Sequence, residues 1–269
     1  MPGSGEFFGN ADQQALMRRG YDLWKLMRDD ARVSYYGRSV SLTCFDEGTT
    51  PSLAAMCRLQ GAASFVYLLK RKEDCVIRQV EAEGLGTDRF ATLTGDAACL
   101  SRCDEVLERG ALPGDLSVEL VDETTPGDLL AALDRMTSAC GVLLLKGSVL
   151  RGIDKPAVCL VASDRERRPV AVAASVAINH PAGAQGEDAW WGMLATREDR
   201  RGQGISRLLG AMTMREMNRR HGFRRFIAAV REGNTASEQL CYGLGMQPSD
   251  YATITAIDPT KMAGGRVTV

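Results

Sequence analysis

Between Ala157 and Asn179 the chain carries two apolar runs, "AVCLVASD" and "PVAVAASVAIN", joined by the charged turn "RERR". Apolar, β-branched segments flanking a short polar turn predict a hairpin, and a hairpin pairs its strands antiparallel. A third strand, "DAWWGMLAT" (188–196), follows and runs straight into the glycine-rich "RRGQG". A doubly wound chain returns each strand through a crossover helix; here three strands precede the glycine-rich helix start. That order shows that the second half is not a doubly wound chain.

The flanking segments complete the pattern. "LSVELVD" (116–122) reads as a strand, and Thr125-Pro126 starts a helix reaching about Cys140. A short apolar segment, "GVLLLKGSVLRG", leads to the hairpin. Beyond the glycines, Ile205, Leu208, Leu209, Met212 and Met217 share one face of a helix ending at Gly222. A strand at 224–232, a helix from Asn234 to Leu244 and a strand at 251–257 close the series.

The first half alternates helix and strand as well. Helices are expected at 14–29, from Thr50-Pro51, at 73–85 and at 97–109, with strands at 39–45, 63–71 and 89–96. The Gly- and Pro-bearing "ERGALPGD" (108–115) marks the boundary. Two domains are therefore expected: an N-terminal α/β domain over 9–110 and a second over 116–260. The opening "MPGSGEF" reads as a linker outside the fold.

Composition sets limits on partners. With 45% hydrophobic and 25% charged residues, 269 residues can bury a core without disulfide staples. A net charge of −1 gives no basic field for nucleic acid, and no apolar stretch is long enough for a membrane span. The eight cysteines are scattered, several within apolar runs, so reduced thiols and a cytoplasmic location are expected. Cys99 and Cys103 have i,i+4 spacing, but His180 and His221 are far away in sequence and complete no ligand set, so no metal is expected.

The chemistry concentrates at "ATREDRRGQGIS". A helix start leaves its first amides unpaired and carries the positive end of the helix dipole. Glycines let such amides close around an anion, and Arg200, Arg201 and Arg207 add positive charge, which favours a diphosphate. The dinucleotide fingerprint fails, because Arg207 stands where a third glycine belongs, and "GVLLLKGS" has its lysine before the glycine, unlike a phosphate-binding P-loop. Taken alone, a two-glycine turn before an amphipathic helix is an equal reading.

Context separates the two. Arg201-Gly202-Gln203-Gly204-Ile205-Ser206 resembles the acetyl-CoA motif of the GCN5-related N-acetyltransferase (GNAT) superfamily, Arg/Gln-x-x-Gly-x-Gly/Ala, with Ser206 at the last position. Downstream, "NTASEQLCYGLGMQP" is similar to the family's second motif through Asn234, Ser237, Tyr242 and Gly245, with Met246 for the usual Phe. The resemblance spans roughly 116–257, includes the order of elements, and implies an α/β fold with a mixed, mainly antiparallel sheet flanked by helices, beside the N-terminal α/β domain.

It implies acetyl transfer to a primary amine of a small molecule or amino acid by direct attack on acetyl-CoA, in a cleft where two neighbouring strands part. Amides of Arg201, Gly202, Gln203, Gly204, Ile205 and Ser206, with Arg207 nearby, would hold the diphosphate. Leu194, Ala195 and Thr196 would pair with the pantetheine arm like an added strand, and the Leu194 N–H would polarise the thioester. Asn234 would meet the same arm or cap the following helix. Tyr242 would act as general acid toward the departing thiolate, and Glu187 or Asp188 as the base. Trp190 and Trp191, adjacent on one strand, point to opposite faces, and core packing accounts for both. The first half is expected to be either a degenerate second GNAT copy or an unrelated α/β domain, covering the acceptor side. A non-catalytic acyl-CoA sensor, a larger acyl donor, a protein amine and a homodimer stay open.

Overall fold

The computed structural model describes residues 5–46 and 48–267. Helix α1 (Ala11–Met27) opens on a reciprocal cap: Asn10 Oδ1 accepts from the Gln13 amide at 3.0 Å, and Gln13 Oε1 accepts from the Asn10 amide at 2.9 Å. Strands β1 (Val33–Tyr35) and β2 (Val40–Leu42), helix α2 (Thr49–Gln60), strand β3 (Ala62–Leu69), helix α3 (Glu73–Ala82), strand β4 (Gly86–Gly95) and helix α4 (Ala97–Arg109) follow. Only β1 was not expected from the sequence. Its three residues are too few to show a period, and it pairs antiparallel with β2 through Val33–Leu42 and Tyr35–Val40.

The second half continues with β5 (Ser117–Leu120), α5 (Gly127–Ala139), the single turn α6 (Gly147–Leu150), β6 (Ala157–Ser163), β7 (Pro169–Val176), β8 (Asp188–Thr196), α7 (Ile205–His221), β9 (Arg225–Arg231), α8 (Thr235–Gly243) and β10 (Gln247–Ile257). The hairpin turn between β6 and β7 is built by Asp164, whose Oδ1 accepts from the amides of Glu166 and Arg168 at 3.1 and 3.0 Å. Helix α7 is bounded at both ends by glycines in the left-handed conformation, Gly204 and Gly222.

All ten strands form one sheet, in the order β1-β2-β3-β10-β4-β9-β8-β7-β6-β5. The expected boundary falls in the connection between α4 and β5, yet the segments on either side of it interlace. The last strand, β10, lies between β3 and β4 of the first half, and β4 pairs antiparallel with β9 of the second. One core cluster unites Leu208, Leu209 and Met214 of α7 with Leu100 and Cys103 of α4 and with strand residues such as Ala171 and Phe226. Another joins Leu53 of α2, Val76 of α3 and Leu130 of α5 to Phe65, Val172 and Ile254.

The described end of the opening segment, residues 5–7, is part of this structure rather than a linker. Glu6 pairs with Arg151 at 2.7 Å, its carbonyl accepts from Gly147 at 3.0 Å, and Phe8 is buried. Residues 1–4 of that segment lie outside the described residues. Among the described residues no helix is long and apolar enough to cross a membrane.

Candidate active site

Strands β8 and β9 are the only parallel neighbours in the second half of the sheet, and they pair only over Asp188–Trp190 against Arg225–Ile227. Beyond Trp190 they part. On its other side β8 stays paired to β7, but its register shifts between the Val172–Ala195 and Ala174–Gly192 pairs. Met193 sits in this bulge with φ of +54°, a conformation that non-glycine residues rarely adopt. The bulge re-aims the backbone of Met193 and Leu194, which have no strand partner on the β9 side. Unpaired, redirected strand amides beside an open gap can bind an extended chain bearing its own amides, or a developing oxyanion.

The gap opens into a cavity of about 270 Å³. Its near wall includes Gly192, Met193 and Leu194 of β8 and Ile227 to Arg231 of β9. Asn234, Ser237, Leu240 and Cys241 add one face of α8. Asn234 caps that helix, its Oδ1 accepting from the Ser237 amide at 3.2 Å. The far wall comes from the first half and from β10: Tyr36, Arg38 and Ser41, Ser64, Asp88 and Phe90, Thr253 and Thr255. Hydroxyls dominate this floor. Ser64 and Thr255 share a hydrogen bond of 2.8 Å across the β3–β10 pair. Asp88 is the only carboxylate lining the cavity among the described residues, and it pairs with Arg231 at 2.7 Å.

The glycine-rich loop stands at the far end of β8. A single 3-10 turn, Glu198–Arg200, leads to Gly202 and Gly204, both at positive φ (+78° and +74°). The Leu208 amide is bonded back to the Gly204 carbonyl at 3.1 Å, so the amides of Ile205, Ser206 and Arg207 emerge from the helix start without intrahelical partners. No side chain caps this end. Arg200 is engaged by Asp115 at 2.9 Å, and the Arg207 guanidinium donates to the Gly243 carbonyl at 3.3 Å. Arg201 donates to the Thr196 carbonyl at 3.3 Å and lines a second recess with Arg135, Arg167, Arg168 and Arg197. An uncapped helix start, its dipole and a recess lined by five arginines and by Glu198 stand together at this end, features that can attract an anion.

The structure gathers Leu194, Asn234 and the glycine-rich loop around the fork, but not the three expected proton-transfer groups. Tyr242 is 44% exposed and lies outside the residues that line the cavity; the preceding residue, Cys241, lines it instead. On a helix neighbouring residues are turned by about 100° from each other, and Tyr242 falls beyond Cys241, outside the arc of Asn234, Ser237, Leu240 and Cys241 that lines the cavity. Burial pushes the Cys241 thiol up to about 12, which keeps it protonated.

Glu187 is exposed beside Arg225, and its neighbour Asp188 is buried outside the cavity. The Asp188 carboxylate accepts from Tyr67 Oη at 3.1 Å and pairs with Arg225 at 2.6 Å. Burial raises its pKa in spite of the arginine. Trp191 is buried with its indole N–H on the Gly210 carbonyl at 3.1 Å, whereas Trp190 stacks obliquely on Tyr36 with ring centroids 5.6 Å apart. Both tryptophans also contribute to the cavity wall.

Residues 137–246 match the model of the acetyltransferase (GNAT) family. Among solved structures the chain is similar to a GCN5-related N-acetyltransferase from Kribbella flavida, with a TM-score of 0.55, 16% identity, and 91% of this chain and 95% of that one covered. It is similar to a tandem GNAT protein from the clavulanic acid biosynthesis pathway (TM-score 0.53, 14% identity, 81% and 74% covered). A Drosophila protein aligns with a TM-score of 0.57 at 12% identity, covering 92% of this chain and 89% of that one. No curated protein matches the sequence. Residues 137–246 thus carry a GNAT family segment, set in a mixed, mainly antiparallel sheet flanked by helices.

Proposed function

We propose that the protein transfers the acetyl group of acetyl-CoA to the primary amine of a small molecule. The observation that carries this reading is the fork itself. An unpaired, bulged strand edge at Met193–Leu194 opens onto a cavity at one side and leads to an anion-binding helix start at the other. The diphosphate meets the amides from Gly202 to Arg207, and the arginine-lined recess takes further phosphate charge. The pantetheine arm runs along the free edge of Leu194 to Thr196, flanked by Asn234.

The acceptor nitrogen attacks the thioester carbonyl from the side of the hydroxyl-lined floor. The C–N bond forms as the C–S bond breaks, and CoA leaves as the thiolate. An amide N–H at the Met193–Leu194 bulge stabilises the charge on the carbonyl oxygen. The proton that the ammonium must lose goes to Asp88, which replaces Glu187 and Asp188 in this role because it alone among the acids of the described residues faces the cavity. The second N–H proton, freed from the nitrogen once the C–N bond has formed, passes through water to the thiolate and yields CoA as the thiol, since Tyr242 lies off the cavity.

The test is acetyl-CoA binding by calorimetry, followed by a panel of primary amines with CoA release and product mass as readouts. Acetylated product from any amine supports the reading. Tight acetyl-CoA binding with no turnover of any amine points instead to an acyl-CoA-sensing module.

A further inference from the structure

Arg38 is a buried charged side chain that no carboxylate of the described residues neutralises. It is 7% exposed, at the turn between β1 and β2, and it lines the cavity. One guanidinium N–H₂ bonds the Leu143 carbonyl, and the plane lies over the Tyr36 ring at 5.4 Å from its centroid. Its Nε has no partner, and no carboxylate pairs with it among the described residues. Ser41, also lining the cavity and fully buried, has an Oγ without a partner.

A buried guanidinium is costly unless an anion compensates it, and a carbonyl with a ring face offsets part of that cost only. The other cation of the cavity, Arg231, faces Asp88. The polar surface at the acceptor end therefore presents one uncompensated positive charge with a hydroxyl alongside.

We infer that Arg38 and Ser41 bind a carboxylate of the acceptor, so that the substrate is an amine that also carries a carboxylate, an amino acid being the simplest case. This rests on the transferase reading above. A planar guanidinium fork matches a carboxylate in geometry and in single charge, and a serine hydroxyl donates to one of its oxygens. The placement also orients the molecule. Arg38 touches Tyr36, and Tyr36 touches Trp190, the last β8 residue paired to β9. A carboxylate held at Arg38 thus lies two ring contacts from the apex of the fork, which leaves the amine free to reach toward the bulge. The carboxylate site and Asp88 come from the first half of the chain, the strand edge and the glycine-rich helix start from the second.

The experiment compares the twenty common L-amino acids with their carboxamides, in which the charge is gone and the amine kept. The wild-type protein is expected to favour at least one acid over its carboxamide by tenfold or more in kcat/KM. In R38M that ratio collapses to within twofold, with the loss falling on the acid through KM. S41A, which removes one hydroxyl and no charge, lowers the ratio several-fold and serves if R38M does not fold. Equal use of acid and carboxamide by the wild type, or a preference that survives in both variants, overturns the inference. If no amine is acetylated, the transferase reading fails, and equilibrium binding of the same pairs to wild type and variants decides the carboxylate site by itself: acid-selective binding lost in R38M supports it, and unselective binding or none overturns it.

Discussion

The hydroxyls of Thr196 and Ser206 lie 2.6 Å apart, tying the end of β8 to the first turn of α7. The strand edge and the anion-binding helix start are thereby held in fixed relation, although a whole glycine-rich loop separates them. Ser206→Ala removes one hydrogen bond worth about 1 kcal/mol. Acetyl-CoA affinity is expected to fall about fivefold, measured by calorimetry. Unchanged affinity would mean that the tie has no part in shaping the cradle.

Gly204 begins α7 at φ +74°, and a Cβ there would meet no atom within 4 Å. The cost of Gly204→Ala is therefore conformational rather than steric, about 1–2 kcal/mol. The variant is expected to show a lower urea midpoint, and acetyl-CoA should restore less stability to it than to the wild type. Full restoration by the ligand would show that the loop closes around the diphosphate without the left-handed turn.

Asp88 and Tyr242 make opposite predictions. Asp88→Asn should lower kcat by about a hundredfold or more, the range for loss of a general base, and leave acetyl-CoA binding in place. Tyr242→Phe should keep kcat within twofold of the wild type. The reverse ranking in steady-state assays would return the acid role to Tyr242 and remove Asp88 from the mechanism.

Lys155 supplies a pH dependence. Its ammonium donates to the carbonyls of Ala177 and Ile178 at 3.0 and 2.8 Å, and burial pushes its pKa from 10.5 down to about 8. Between those values the unfolded chain binds the proton that the folded chain has released, so this lysine makes stability rise as pH rises from about 8 to 10.5. Urea midpoints across that window should show the rise, and Lys155→Met should flatten it. A wild type whose stability falls through the window would contradict the assignment.

The sequence carried the second half almost whole, because its elements announce themselves locally: an apolar hairpin, a glycine-bounded helix and an asparagine cap. The glycine turn that opens α7 was legible for the same reason. The acceptor wall was not. Arg38 and Ser41 lie in and beside the three-residue strand β2, Asp88 lies tens of residues further on in β4, none of them belongs to a motif, and only the sheet order brings them to one cavity. The alternation of Thr253 and Thr255 in "ATITAI" marked a polar strand face, but solvent would have explained it equally well. Tyr242 shows the limit of motif spacing. One position along a helix decides whether a side chain enters the fork or faces solvent, and that phase is set by packing.

The insertion of β10 between β3 and β4 also governs how the molecule can be made. Both neighbours are made by the time Gly95 is added, yet their shared partner begins only at Gln247, about 150 residues later. Until it arrives, two strand edges stand open, with the cost of closing a very long loop still ahead. The acceptor wall is consequently the last part of the site to exist. A nascent chain, or one lacking its final segments, holds the elements of the anion-binding end without a chamber for the amine. Such open edges are the kind that pair wrongly with other chains, so a chaperone that shields β3 and β4 during synthesis would raise the yield of active protein more than one acting after release.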